Sequence, residues 1–146
     1  DLPHAGDLEM WLRFGANAAV ARLDAVQAFK REHQNNMAKG FTPTILPDLK
    51  QRKLAFENVV YQYAGHIENS NELLKYSNQS LAYQAFWGAH TLFEKGNIKL
   101  CNELLDFALV LDPSFSSKIE WKKFKLNRRM GPRLWNLLEP VIRSLR

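Results

Sequence analysis

Cysteine occurs once in these 146 residues, at Cys101, which excludes an internal disulfide and suits a reducing, cytoplasmic compartment. No apolar run approaches the roughly 20 residues needed to span a bilayer, and these residues contain no basic leader followed by an apolar stretch. There is no cysteine pair, no glycine-rich phosphate loop and no Gly-x-Ser-x-Gly nucleophile elbow. Thiolate metal clusters, P-loop phosphate chemistry and α/β-hydrolase chemistry are therefore not indicated. Strand-like alternation is also missing after residue 47.

What is present is ordinary for a water-exposed globular chain: 46% hydrophobic and 24% charged residues, enough for one domain with a proper core. The net charge of +5 is unevenly placed. Residues 1–117 hold 11 basic and 13 acidic side chains, whereas Lys118 to Arg133 hold seven basic residues against Glu120 alone. The basicity is a local patch, which bears on partners and not on fold.

Apolar positions at Leu8, Met10, Trp11, Leu12 and Phe14 predict a short helix over 7–19, capped by Asp7 and ending near Gly15. From Val20 to Arg31 two readings compete: a second helix by propensity, or two short strands carrying Val20, Leu23, Val26 and Phe29, broken at Asp24. Two prolines and a glycine between Lys39 and Pro47 mark a linker, placed at 41–47. Beyond it the pattern is helical, with Asp48 as the expected N-cap of one helix and Asn69 with Glu72 spaced as a capping box for the next. Near the end, Gly131-Pro132 should separate two helices, with Pro132 in the first turn of the second.

Residues 82–115 resemble the tetratricopeptide repeat (TPR), a 34-residue helix–turn–helix unit. Gly96 stands at the turn, Cys101 where a small residue lets helices approach, and Ala108-Leu109-Val110-Leu111-Asp112-Pro113 matches the repeat's end. A single repeat cannot cover its own apolar faces, so residues 48–81 and 114–146 are expected to pack beside it as helical pairs.

Taken by spacing alone, Asp7, Glu9 and His33 form no metal-ligand set; Asp7 reads as a cap, and Glu9 with Arg13 as an i,i+4 ion pair. Two segments add to that reading: Gly6-Asp7-Leu8-Glu9-Met10-Trp11-Leu12-Arg13, and Phe29-Lys30-Arg31-Glu32-His33-Gln34-Asn35-Asn36-Met37-Ala38. Together they resemble the last part of a bacterial family 2 glycosyltransferase of the nucleotide-sugar-dependent GT-A type. The first is similar to that family's acidic-motif helix, and the second to its Tyr-Arg-x-His-x-x-Asn-Met-Ser run, with Phe-Lys for Tyr and Ala38 for Ser. The resemblance implies Asp7 as catalytic base toward the acceptor hydroxyl, with Arg31, Glu9 and His33 near the substrate diphosphate. It also implies His33 near a divalent metal, Mg or Mn, in the complete enzyme, and no cofactor in these residues alone. It further implies that the nucleotide-binding half, with its Asp-x-Asp motif, precedes Asp1, so that this chain is the C-terminal part of a longer enzyme and inactive by itself. The partners implied are a nucleotide sugar and a saccharide or lipid-linked acceptor.

In the basic tail, Lys118, Lys122, Lys123, Lys125, Arg128, Arg129 and Arg133 are interleaved with Ile119, Trp121, Phe124, Leu126, Met130, Leu134 and Trp135. Two amphipathic helices with solvated basic faces are one reading. Docking through Lys122, Lys123, Lys125, Arg128 and Arg129 to an anionic membrane surface at the inner face, or to a protein, is the other. No nucleic-acid module is recognisable. The expectation is thus a mainly α chain of antiparallel, TPR-like helical pairs (48–146), preceded by a short GT-A remnant (1–40). The alternative is a stand-alone TPR-like interaction module with a groove around Tyr83, Phe86, Trp87 and Phe93.

Overall fold

The computed structural model describes residues 2–3, 5–29, 31 and 45–144, with side chains through 138 in the last helix. It is mainly α, with six α-helices and one 3-10 helix among the described residues. The chain divides into two compact units, Asp1–Asn71 and Glu72–Arg146.

In the first unit, α1 (Gly6–Asn17) packs against α2 (Leu46–Gln62). The apolar content of α1 makes a half-buried stripe, Leu8 and Leu12, beside fully buried Ala5. Leu49, Ala55, Val59 and Val60 form the buried face of α2. The helix ends are joined further by His66 Nδ1, 3.2 Å from Asn17 Oδ1. The expected caps are corrected. Asp7 lies inside the first turn of α1 and makes no cap; the N-cap is Ala5, which has no side-chain oxygen to offer. Likewise α2 starts at Leu46, with Pro47 in its first turn, so Asp48 is inside the helix and pairs with Arg52 at 3.6 Å. Proline's fixed φ suits that first turn, which moves the start earlier than a polar-cap rule predicts.

Residues 19–29 are neither helix nor strand, against both expectations. Val20, Leu23, Val26 and Phe29 recur every third residue, which matches neither the two-residue period of a strand nor the 3.6 of a helix. A strand also needs a ladder partner for its amides and carbonyls, and none is supplied among the described residues.

Helix α3 (Ser70–Glu94), which lies in the second unit from Glu72 onward, follows Asn69, whose φ of 56° is a left-handed conformation that asparagine tolerates. The turn into α4 (Ile98–Leu111) is a Schellman motif: Asn97 N–H donates to the Leu92 carbonyl (2.8 Å) and Gly96 N–H to Phe93 (2.9 Å). Gly96 takes the positive φ of 76° the motif requires. Asn97 then caps α4, accepting from Leu100 N–H at 3.2 Å. Small residues line the buried faces: Ala82, Ala85 and Ala89 on α3, Cys101 and Ala108 on α4.

Helix α4 stops at Leu111. Asp112 accepts from Ser114 N–H (3.1 Å), and Pro113 opens a 3-10 helix, Pro113–Ser117. That short helix places Phe115 wholly inside. Phe86 touches it at 5.2 Å between ring centroids and Phe124 of α5 (Ile119–Met130) at 5.5 Å; Phe93 meets Phe124 at 5.4 Å. This aromatic cluster is the core of the unit. Gly131, at φ 80° and ψ 160°, separates α5 from α6 (Pro132–Ser144), as the Gly-Pro pair predicted. Asn136 Nδ2 donates to the Glu94 carbonyl at 2.9 Å, fastening α6 to the end of α3.

Candidate functional site

The exposed face of α1 is defined by what the rest of the helix is committed to. Leu8 and Leu12 take the inward stripe, and Glu9 is tied to Arg13 at 3.1 Å, as its i,i+4 spacing predicted. Asp7 is exposed, and its carboxylate makes no hydrogen bond or ion pair among the described residues. One turn on, Trp11 is 65% exposed and meets the edge of Phe14 at 5.9 Å. Asp7, Trp11 and Phe14 stand at i, i+4 and i+7, so one helix face carries a carboxylate followed by two rings.

Of the four residues expected around a substrate diphosphate or the base position, the structure places Asp7 and Glu9 on this helix. Arg31 is exposed beyond the irregular segment. His33, expected near the diphosphate and the metal, lies outside the described residues. No three His, Cys, Asp or Glu side chains converge as a metal site among the described residues. Phe14 was not among the expected site residues; its spacing from Asp7 and Trp11 was the signal that could have found it.

The other candidate, the groove around Tyr83, Phe86, Trp87 and Phe93, is corrected in part. Phe86 and Phe93 are both 1% exposed and belong to the core. Tyr83 and Trp87 remain open, packed edge to face at 6.0 Å.

The basic tail is likewise sorted by the fold. Phe124 is buried and Trp121 and Trp135 are half-buried, so these rings complete the unit instead of reaching outward. Arg128 is half-buried and donates to Asn102 Oδ1 at 2.6 Å. Lys122, Lys123, Lys125 and Arg129 are exposed. Behind Arg128, burial pushes the Cys101 thiol up from its ordinary value, while the Arg128 charge opposes that shift. A buried thiol of this kind is a packing residue and a poor nucleophile.

No family model matches the chain, and no curated protein or solved structure matches it. Among the described residues no helix is long and apolar enough to cross a membrane.

Proposed function

We propose that the chain is the acceptor-side part of a nucleotide-sugar-dependent glycosyltransferase of family 2, GT-A type, followed by a TPR-like helical domain, and that alone it transfers no sugar. The observation that carries this reading is the open face of α1, with a carboxylate at Asp7 that has no partner among the described residues and exposed rings at Trp11 and Phe14. An acceptor sugar has an apolar C–H face and a hydroxyl that must lose its proton. Rings one and two turns from a carboxylate can cover the first while the carboxylate takes the second. In the transfer, the acceptor oxygen bonds to the anomeric carbon as that carbon's bond to the diphosphate oxygen breaks. The proton passes to Asp7, and the electron pair leaves with the nucleotide diphosphate.

Arg31, His33 and Glu9 are the residues of this chain assigned to the diphosphate side, Glu9 being held by Arg13 at 3.1 Å. A divalent ion in the complete enzyme would neutralise the departing charge. The described residues do not form a binding set for it, and the role given to Asp7 is proton transfer alone.

The segment 19–29 supports the same reading. Val20, Leu23, Val26 and Phe29 are 69–95% exposed, an apolar load that a neighbouring sheet would cover. In the second unit, the Gly96 turn, the small residues at Cys101 and Ala108 and the stop at Pro113 support TPR-like pairing of α3 and α4.

The test is the uninterrupted gene product. Its frame upstream of Asp1 is expected to encode parallel strands and an Asp-x-Asp motif. In that protein Asp7→Asn should lower turnover by about 10²–10⁴-fold with nucleotide diphosphate binding unchanged. A frame that opens at or just before Asp1, or an Asp7→Asn enzyme as active as its parent, refutes the proposal in favour of a helical interaction module.

A further inference from the structure

The outward surfaces of α5 and α6 carry a pattern that core packing does not explain. On α5 the inward side is taken by Phe124, Trp121 and Arg128. Opposite them, two turns apart, Ile119 and Leu126 are 58% and 59% exposed. Lys122, Lys123 and Arg129 flank that aliphatic row and are all open to solvent. On α6, Trp135 turns inward and Asn136 is spent on the Glu94 carbonyl. Its remaining face presents Arg133 with Leu134, Leu137 and Leu138; Leu137 is 74% exposed. A helix needs one apolar face to fold onto its neighbours. Here α5 has two, and the second is edged with cations.

We propose that the outer face of α5 and α6 docks onto the interface of an anionic lipid bilayer, with the aliphatic side chains in the headgroup–acyl boundary and the lysines and arginines among the lipid phosphates. The charge fits: of the seven basic residues from Lys118 to Arg133, Arg128 is spent on Asn102 and Lys118 on Asp112, which leaves Lys122, Lys123, Lys125, Arg129 and Arg133 exposed against Glu120 alone. The shape fits too. The aliphatic side chains stand on the crest of a helix, which a deformable lipid surface can receive, whereas a partner helix is taken up by a groove. Depth is limited to this shallow seat, since no described helix is long and apolar enough to cross. The lipid-facing residues are Ile119, Leu126, Leu134 and Leu137; Phe124 and the half-buried Trp121 and Trp135 are turned to the core. This assignment does not rest on the transferase reading.

The test is co-sedimentation of the purified chain with vesicles of phosphatidylcholine, alone or mixed with phosphatidylglycerol. Binding is expected to the mixed vesicles and to fall as salt is raised. Lys122→Gln with Lys123→Gln should weaken the partition about 30-fold, two surface cations at about fivefold each. Leu126→Ser with Leu137→Ser, both exposed and so harmless to the fold by circular dichroism, should weaken it at least tenfold while leaving the salt dependence in place. Three results would overturn the proposal: equal binding to neutral and mixed vesicles at low salt, a leucine pair variant that binds as well as the parent, or binding to soluble polyglutamate with none to vesicles. The last would make the face a docking site for an acidic protein.

Discussion

Truncating Phe86 tests whether the second unit is held by its aromatic cluster. The ring is 1% exposed and lies 5.2 Å from Phe115, 5.5 Å from Phe124 and Trp87, and 6.1 Å from Trp121. These neighbours come from α3, the 3-10 helix and α5, so no single element can move in to fill the space left by the ring. Phe86→Ala should therefore sit at the costly end of core truncations, about 4–5 kcal/mol. A unit the size of Glu72–Arg146 has a total stability of about 4–11 kcal/mol, so the variant should lose between about a third and all of it. Urea unfolding followed by tryptophan fluorescence gives the number. Trp87, Trp121 and Trp135 lie in this unit, while Trp11, already exposed, should change little. Val110→Ala, at a 73% exposed position in the same unit, is the control and should fall within about 0.5 kcal/mol of the parent. In a double-mutant cycle, Phe86→Ala and Phe124→Ala should cost less together than the sum of each alone, because they share a contact. A loss below about 1 kcal/mol for Phe86→Ala, or strict additivity with Phe124→Ala, refutes the cluster as the organising core.

The two positive-φ glycines of the second unit should respond differently to asparagine. At Gly96 (φ 76°) Gly96→Asn should cost well under the 1–2 kcal/mol of Gly96→Ala, since asparagine tolerates left-handed backbone. At Gly131 (φ 80°, ψ 160°) both replacements should cost about 1–3 kcal/mol, because that region belongs to glycine alone; urea midpoints separate the cases. Asn97→Ala should lose about 1 kcal/mol through the vacated Leu100 N–H, read the same way. Burial raises the folded-state pKa of Cys101. Above about pH 8.5 the unfolded chain therefore sheds the thiol proton first. The thiol's contribution to stability should then be constant below that pH and fall as pH rises through it. Cys101→Ala should remove that part of the slope in urea titrations across the range, and a thiol reagent at neutral pH should modify the parent only once it is unfolded.

Local chemistry made much of the second unit legible. A glycine between two helical periods, a cap immediately after it, and Asp-Pro at the end of an apolar run fix the turns whatever surrounds them. Gly96, Asn97, Asp112 and Pro113 sit where their backbone preferences put them. The roles of the aromatic residues were not legible, because spacing alone does not say which side of a helix will be covered. Phe86 and Trp87 are neighbours in sequence, yet one is core and the other open. The same limit hid the outer row of α5: Ile119 and Leu126 have ordinary helical spacing, and only the burial of Phe124 shows that they face away. In the first unit the polar-cap rule misplaced two helix starts, since Ala5 and Ile45 occupy the N-cap positions and Asp7 and Asp48 lie just inside. The segment after α1 failed for a different reason. Whether it forms helix, strand or neither depends on what it lies against, and that is not encoded within it.

Residues 19–29 also bear on how this polypeptide behaves in a test tube. Backbone outside any helix or strand beside bare aliphatic side chains is the material from which intermolecular β-pairing starts. Arg22 and Asp24 are the charges set within the run, and they are joined to each other at 2.9 Å, which weakens their value as gatekeepers. Self-association that steepens with concentration should therefore begin at this ribbon. A lysine at Leu23 or Val26 should keep the chain dispersed without touching a helix.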